Sequence, residues 1–188
     1  MRYLLTYRLW ESLENPLGIQ EFVERIGIDP DLRERVIQWW QENRSGIRIH
    51  YFNFNSSQPI MGVFLGEADV AINSRVNAPG WMKLFLALHE SRHADQHREG
   101  DFMQGYWQTV IAEEEEEFLE AYQYFERDAN DFAVGSMLEM GFRQEMEQEG
   151  TRLRGNERAG RMVYQMMRRD IQRFQPDDFI DLLKIQIL

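Results

Sequence analysis

The sequence predicts an α+β fold in which a small antiparallel sheet of about three strands packs on a mostly helical domain. Three observations carry this reading. Helix-start signals followed by apolar residues at helical spacing occur early in the chain and again from Pro79 onward. Between them lie three short segments of strand character. The composition, 43% hydrophobic and 13% aromatic, is that of a chain that folds. At 188 residues the chain suits a single domain, long enough to bury a core without disulfides. It divides into N-terminal helices over 1–45, the sheet and central helices over 46–140, and C-terminal helices over 141–188.

Asp29-Pro30-Asp31 opens a helix with a capping carboxylate and a proline in the first turn, and Leu32, Val36, Trp39 and Trp40 then repeat at helical spacing. Gly46 ends that region. The strand segments are Ile47–Phe54, Ile60–Leu65 and Ala68–Asn73. In the first, Ile47, Ile49 and Tyr51 alternate with Arg48 and His50, and Gly62 and Gly66 suit turns or bulges. Asn77-Ala78-Pro79-Gly80 then starts a helix whose apolar face is Trp81, Leu84, Phe85 and Leu88. A long helical pattern runs from Tyr106 to Met140. Two more helices are predicted over 156–174 and 176–187. The glutamates at 113–117 read as a solvated helix face.

Charge and cysteine content narrow the function. The formal charge is −11, so the basic footprint of a nucleic-acid partner is missing and none is expected. The arginines of 152–173 alternate with Met, Val and Tyr as in an amphipathic packing helix. No uncharged stretch reaches the length of a membrane span, and the N-terminus lacks a signal-peptide core, so a cytoplasmic protein is expected. With no cysteine in the chain, any bound metal must be held by histidine and carboxylate.

Such a site is written into His89-Glu90-Ser91-Arg92-His93. Two histidines four residues apart lie about 40° apart around a helix, one turn above the other, so both rings can reach one Zn²⁺. Glu90 projects about 100° from His89, where it can take a proton from a metal-activated water. The preceding Leu84-Phe85-Leu86-Ala87-Leu88 marks a buried helix, in which ionisable side chains need partners. This is the pattern of a zinc hydrolase of the zincin type, which needs a third protein ligand and keeps a fourth position open. The competing reading is a surface helix whose His and Glu pair locally.

His97 continues the row, but the eight residues from His89 span about 12 Å of straight helix, too far for one ion. It reads as a rim residue. The extended metzincin pattern also fails, because Gln96 stands at its glycine position and Glu99 at its third histidine. Among the remaining carboxylates Glu126 ranks first. It shares a helical face with Leu119, Tyr122, Ala129, Ala133, Met137 and Met140, where an uncompensated carboxylate would be costly to bury. Ala129 and Ala133 are small enough to let two helices approach closely. A buried ion pair with an arginine is the alternative role for Glu126.

The segment Glu126-Arg127-Asp128-Ala129-Asn130-Asp131-Phe132-Ala133 resembles the E-x-x-A-N-x-F-A segment of the ImmA/IrrE-type zinc metallopeptidases. Upstream, Val70-Ala71-Ile72-Asn73 and Phe85-Leu86-Ala87-Leu88-His89-Glu90 resemble that family's I-x-I-N strand and F-x-L-A-H-E lead-in. The resemblance covers about residues 60–140. It implies a zincin-like fold with one Zn²⁺ per chain, held by His89, His93 and Glu126, and Glu90 as general base. Arg92 stands where the family usually has glycine, and the proline that often follows the glutamate helix is missing after Ser136-Met137-Leu138-Glu139-Met140.

The function expected is hydrolysis of a peptide bond in a protein or peptide substrate, with metal-activated water and Glu90 as general base. Asn130, one turn after Glu126, is a candidate partner for a zinc-binding histidine. Asn73 ends a strand just before the active helix, where an edge strand can hold an extended peptide. His97, Tyr122 and Tyr124 are candidates for stabilising an oxyanion. Two rivals are a catalytically inactive zincin-fold interaction or regulatory protein and a di-iron bundle. The latter needs a second E-x-x-H, which the sequence lacks.

Overall fold

A computed structural model describes residues 12–53, 62–75, 77–100, 115–146 and 148 of the chain. In chain order its elements are α1 (Ile19–Ile26), α2 (Pro30–Asn43), β1 (Arg48–Phe52), β2 (Gly62–Gly66), β3 (Asp69–Asn73), α3 (Gly80–Arg98) and α4 (Glu115–Glu139). This is an α+β arrangement of a small three-stranded sheet with mostly helical surroundings. The helices predicted over 156–174 and 176–187 lie outside the described residues, as do residues 1–11 and the predicted helix start at Tyr106. No described helix is long and apolar enough to cross a membrane.

The N-terminal helices form for local reasons that the sequence displays. Asp29 caps α2 by accepting a hydrogen bond from the Asp31 amide at 2.9 Å, and Pro30 takes the first helical position, where no amide hydrogen is needed. Helix α1 ends at Gly27, whose left-handed backbone returns its amide to carbonyls of the last turn. Both helices turn apolar side chains inward: Phe22, Val23 and Ile26 from α1, Val36 and Trp40 from α2.

The sheet corrects one expectation. It is mixed, not antiparallel: the strand order is β1-β3-β2, with β3 parallel to β1 and antiparallel to β2. Two physical causes account for this. The two-residue turn Glu67-Ala68 folds β3 back on β2 as a hairpin, with positive φ at Gly66 and Glu67. Strand β3 is also buried at Val70, Ala71, Ile72 and Asn73, on both faces, so it takes the central position. Strand β2, half-buried along its length, takes the edge. The alternation read in β1 is present, with Ile49 and Tyr51 buried and Arg48 exposed. Upstream, Leu13 and Leu17 bridge to Phe52 and Ile49 and cover the other side of β1.

One apolar core joins the helices to the inner sheet face. It contains Ile49, Tyr51, Val70 and Ile72 from the sheet, Leu84, Phe85, Ala87, Leu88 and Ala94 from α3, and Ala133, Val134 and Met137 from α4. The start of α3 is fixed by contact with α1. A Cβ on Gly80 would lie 2.3 Å from the Ile26 carbonyl oxygen, so only glycine admits this approach. Helix α2 is tied to α4 by a 2.7 Å hydrogen bond from Trp39 Nε1 to Glu139 and by the Arg44 guanidinium 4.1 Å above the Phe132 ring.

Outside the core, Asp69 joins β3 to β1. Its carboxylate accepts from Arg48 Nε at 2.7 Å and lies 2.8 Å from His50 Nε2, while His50 Nδ1 donates to the Glu14 carbonyl at 3.0 Å. Burial pushes the Asp69 carboxyl up, but the hydrogen bonds from Arg48 and His50 outweigh it and hold the pKa below its ordinary value. A depressed carboxylate pKa adds stability above the unfolded-state value and loses it as pH falls through the folded-state value. Asp69→Asn should therefore lower stability at neutral pH by about 1–2 kcal/mol, given that Arg48 is largely exposed. In urea titrations the difference from wild type should shrink towards acid pH.

Candidate metal centre

Helix α3 carries the site. Met82, Leu84, Phe85, Ala87, Leu88, Glu90, Ser91, His93, Ala94 and Gln96 are all buried, which is most of the helix circumference. Buried polar groups require partners, and α4 supplies most of them. Ala129 and Ala133 of α4 are fully buried, as their size suggested, and on the facing helix Ala87 and Ala94 are too.

His89 and His93 converge. Their Nε2 atoms lie 3.2 Å apart, with the rings edge to face and centroids 4.8 Å apart. Two nitrogens each about 2.0–2.1 Å from a tetrahedral zinc stand about 3.3 Å apart, so this spacing fits a shared ion. The opposite ring nitrogens are engaged: His89 Nδ1 lies 3.0 Å from Asn130 Oδ1, and His93 Nδ1 lies 2.7 Å from Gln96 Oε1. An amide oxygen only accepts, so each Nδ1 carries a ring proton, and Nε2 is the nitrogen of each neutral ring left to bind an ion. Asn130, buried on α4, thus contacts a histidine of the pair, as its position one turn after Glu126 suggested.

Glu126 lies on α4 one turn before Asn130 and two residues before Asp128, so the backbone puts it on the row of α4 that meets the histidine pair. Its side chain lies outside the described residues. Among the described residues no group of three or more His, Asp or Glu side chains is assembled to hold a metal. His97 does not join the pair; its ring lies against Phe64 of β2, with centroids 5.7 Å apart. The side chains of Tyr122 and Tyr124 are also outside the described residues.

Glu90 is buried on the side of α3 that meets β2. Gly62, the first residue of β2, lies so close that a Cβ there would be 2.8 Å from Glu90 Oε1 and 3.0 Å from its Cγ. The glycine read from sequence as a turn or bulge instead makes room for the carboxylate. Gly66 does sit at the hairpin end, where the register shifts. Asn73 is not on an edge strand: β3 is central, and Asn73 Oδ1 accepts from the Arg75 amide at 3.1 Å, closing a local turn. The outer strand beside α3 is β2.

Arg92 points away from the histidine pair into a cluster of carboxylates. Its Nε donates to Asp128 Oδ2 at 2.7 Å, and Nη1 lies 3.3 Å from Glu99 and 3.6 Å from Asp95. Burial pulls its pKa down, yet the bond to Asp128 and the nearby Glu99 and Asp95 outweigh it and raise the pKa, so the side chain is a fixed cation. Asp95 also pairs with Arg44 at 2.6 Å, which links the end of α2 to α3.

Sequence reasoning missed three members of this neighbourhood: Gly62, Gln96 and Asp128. Gln96, three residues after His93 on the same helix face, was legible by spacing alone, since residues three apart on a helix are neighbours. Asp128 was not, because it meets Arg92 and Gln96 across 36 and 32 residues of chain. No family model, curated protein or solved structure matches the chain.

Proposed function

We propose that the chain is a zinc-dependent metallopeptidase of zincin type, similar to the ImmA/IrrE-type enzymes. The observation that carries this reading is the convergence of two imidazole Nε2 atoms, each with its Nδ1 proton engaged by an amide oxygen, beside a buried glutamate. The donor set suits zinc, which accepts neutral imidazole and carboxylate and needs the second ring nitrogen to be hydrogen-bonded. His89, His93 and Glu126 would hold one ion per chain. When bound, the ion supplies Lewis acidity, lowering the pKa of water and polarising a carbonyl.

The remaining chemistry falls to the chain's own residues. Glu90 accepts a proton from the attacking water and passes it to the leaving amine, one proton removed and one returned. Gly62 of β2 leaves the space this carboxylate occupies, which any side chain there would invade. An extended peptide laid along the outer strand β2 by backbone hydrogen bonds would run past Glu90, which suits a protein or peptide substrate. Asn130 and Gln96 orient the rings.

The purified full-length chain should carry one zinc per molecule by elemental analysis, and His89→Ala or His93→Ala should remove it. Two irons per chain would instead favour a di-iron centre. Glu90→Gln should keep the zinc while lowering cleavage of a fluorogenic peptide mixture by about 10²–10⁴-fold. A wild-type chain that holds zinc but cleaves nothing, and whose cellular effect survives Glu90→Gln, would point to the inactive regulatory reading. Gly62→Ala should leave zinc content unchanged and cut turnover by about tenfold or more, through displacement of Glu90. Full activity in that variant would remove the proposed role of β2.

A further inference from the structure

Beside the histidine pair, a line of hydrogen bonds runs from α3 to α4 and back. Gln96 is 2% exposed, and its side-chain nitrogen lies 3.0 Å from the Phe125 carbonyl oxygen and 2.7 Å from Asp128 Oδ2. Arg92 Nε–H donates to the same Asp128 oxygen. A carbonyl oxygen and an ion-paired carboxylate have no proton to give, so only the NH₂ end of the Gln96 amide can face them. The amide therefore has one orientation, with Oε1 on His93 Nδ1, 2.7 Å away. That oxygen in turn demands a proton on Nδ1.

We infer that Gln96, oriented by the Phe125 carbonyl and by an Asp128 carboxylate that Arg92 holds, is a positioning residue that fixes His93 in the Nδ1–H tautomer and so presents Nε2 as a ready ligand. The inference deepens the proposed metal-site reading and rests on it only for what Nε2 then binds. It gives Arg92 a role: the guanidinium that replaces the usual glycine anchors the far end of this line. It also explains why a long amide sits in the core of a buried helix. A buried polar side chain is tolerated when every group on it is answered, and here the oxygen and both amide hydrogens have acceptors or donors in reach.

The tautomer can be read directly in the metal-free full-length protein, from long-range ¹H–¹⁵N correlations of the histidine rings above the ordinary imidazole titration range. With four histidines in the chain, single-histidine variants assign the signals. Wild-type His93 should show the Nδ1–H pattern. Gln96→Met, close in shape but without acceptor or donor, should admit the Nε2–H form, and Gln96→Glu, which keeps an acceptor on Nδ1, should restore Nδ1–H. In chelator competition Gln96→Met should weaken zinc binding by about 10–100-fold, with a smaller loss for Arg92→Ala. An Nε2–H pattern in wild-type His93, or an unchanged tautomer in Gln96→Met, would overturn the inference. The wild-type spectrum decides even if the variants fold poorly. A chain that takes up no zinc yet shows the expected tautomers would sink the metal reading and leave the positioning role standing.

Discussion

The burial of α3 is the constraint from which the rest of the site follows. A helix covered on most of its circumference cannot leave imidazole, carboxylate and amide groups to water, so each must be met by a neighbouring element. Helix α4 meets His89 through Asn130 and reaches Gln96 and Arg92 through Asp128. Strand β2 meets Glu90 with a bare backbone. Ala129 and Ala133, small and fully buried on α4, leave room for short side chains such as Asn130 and Asp128 to reach α3. Small residues and polar pairs are thus two sides of one requirement.

This arrangement assigns separate duties to the two faces of α3. The face towards α4 holds the rings and their hydrogen-bond partners, while the face towards the sheet holds Glu90. A helix places His89, Glu90 and His93 on a fixed angular pattern, so the two faces cannot drift independently. The ion pairs at the far end, Arg44 with Asp95 and Arg92 with Asp128, tie α3 to α2 and α4 where apolar packing gives way to exposed surface. Each is at least partly shielded from solvent, and breaking one by removing a single partner would strand the other charge.

Much of this was legible in the sequence because it is encoded locally. The cap at Asp29-Pro30, the start of α3 after Pro79, the three strand segments and the buried nature of the His89–His93 helix all rest on patterns within a few residues. Spacing within α4 made Asn130 a candidate partner for a histidine of the pair, and the structure gives His89 as that partner. What escaped was set by long-range placement. That β3 pairs with both β2 and β1 depends on a short hairpin together with burial of both strand faces, so the parallel pairing was not visible. Asn73 was assigned to an edge for the same reason. Gly62 read as a turn signal because nothing near it in sequence announces Glu90. The direction of Arg92 depended on a carboxylate 36 residues away.

The contact between Gly80 and the Ile26 carbonyl oxygen has a consequence for the height of the histidines. It holds the start of α3 against the end of α1, backbone to backbone. Each residue of a helix advances about 1.5 Å, so a slide of a single position would carry both rings out of step with Asn130 and the row that bears Glu126. No α1 side chain meets the histidine pair among the described contacts, yet the last carbonyl of α1 meets the residue from which α3, and the height of both rings along it, begins. The N-terminal helix is thereby a spacer whose docking calibrates a site some three turns away.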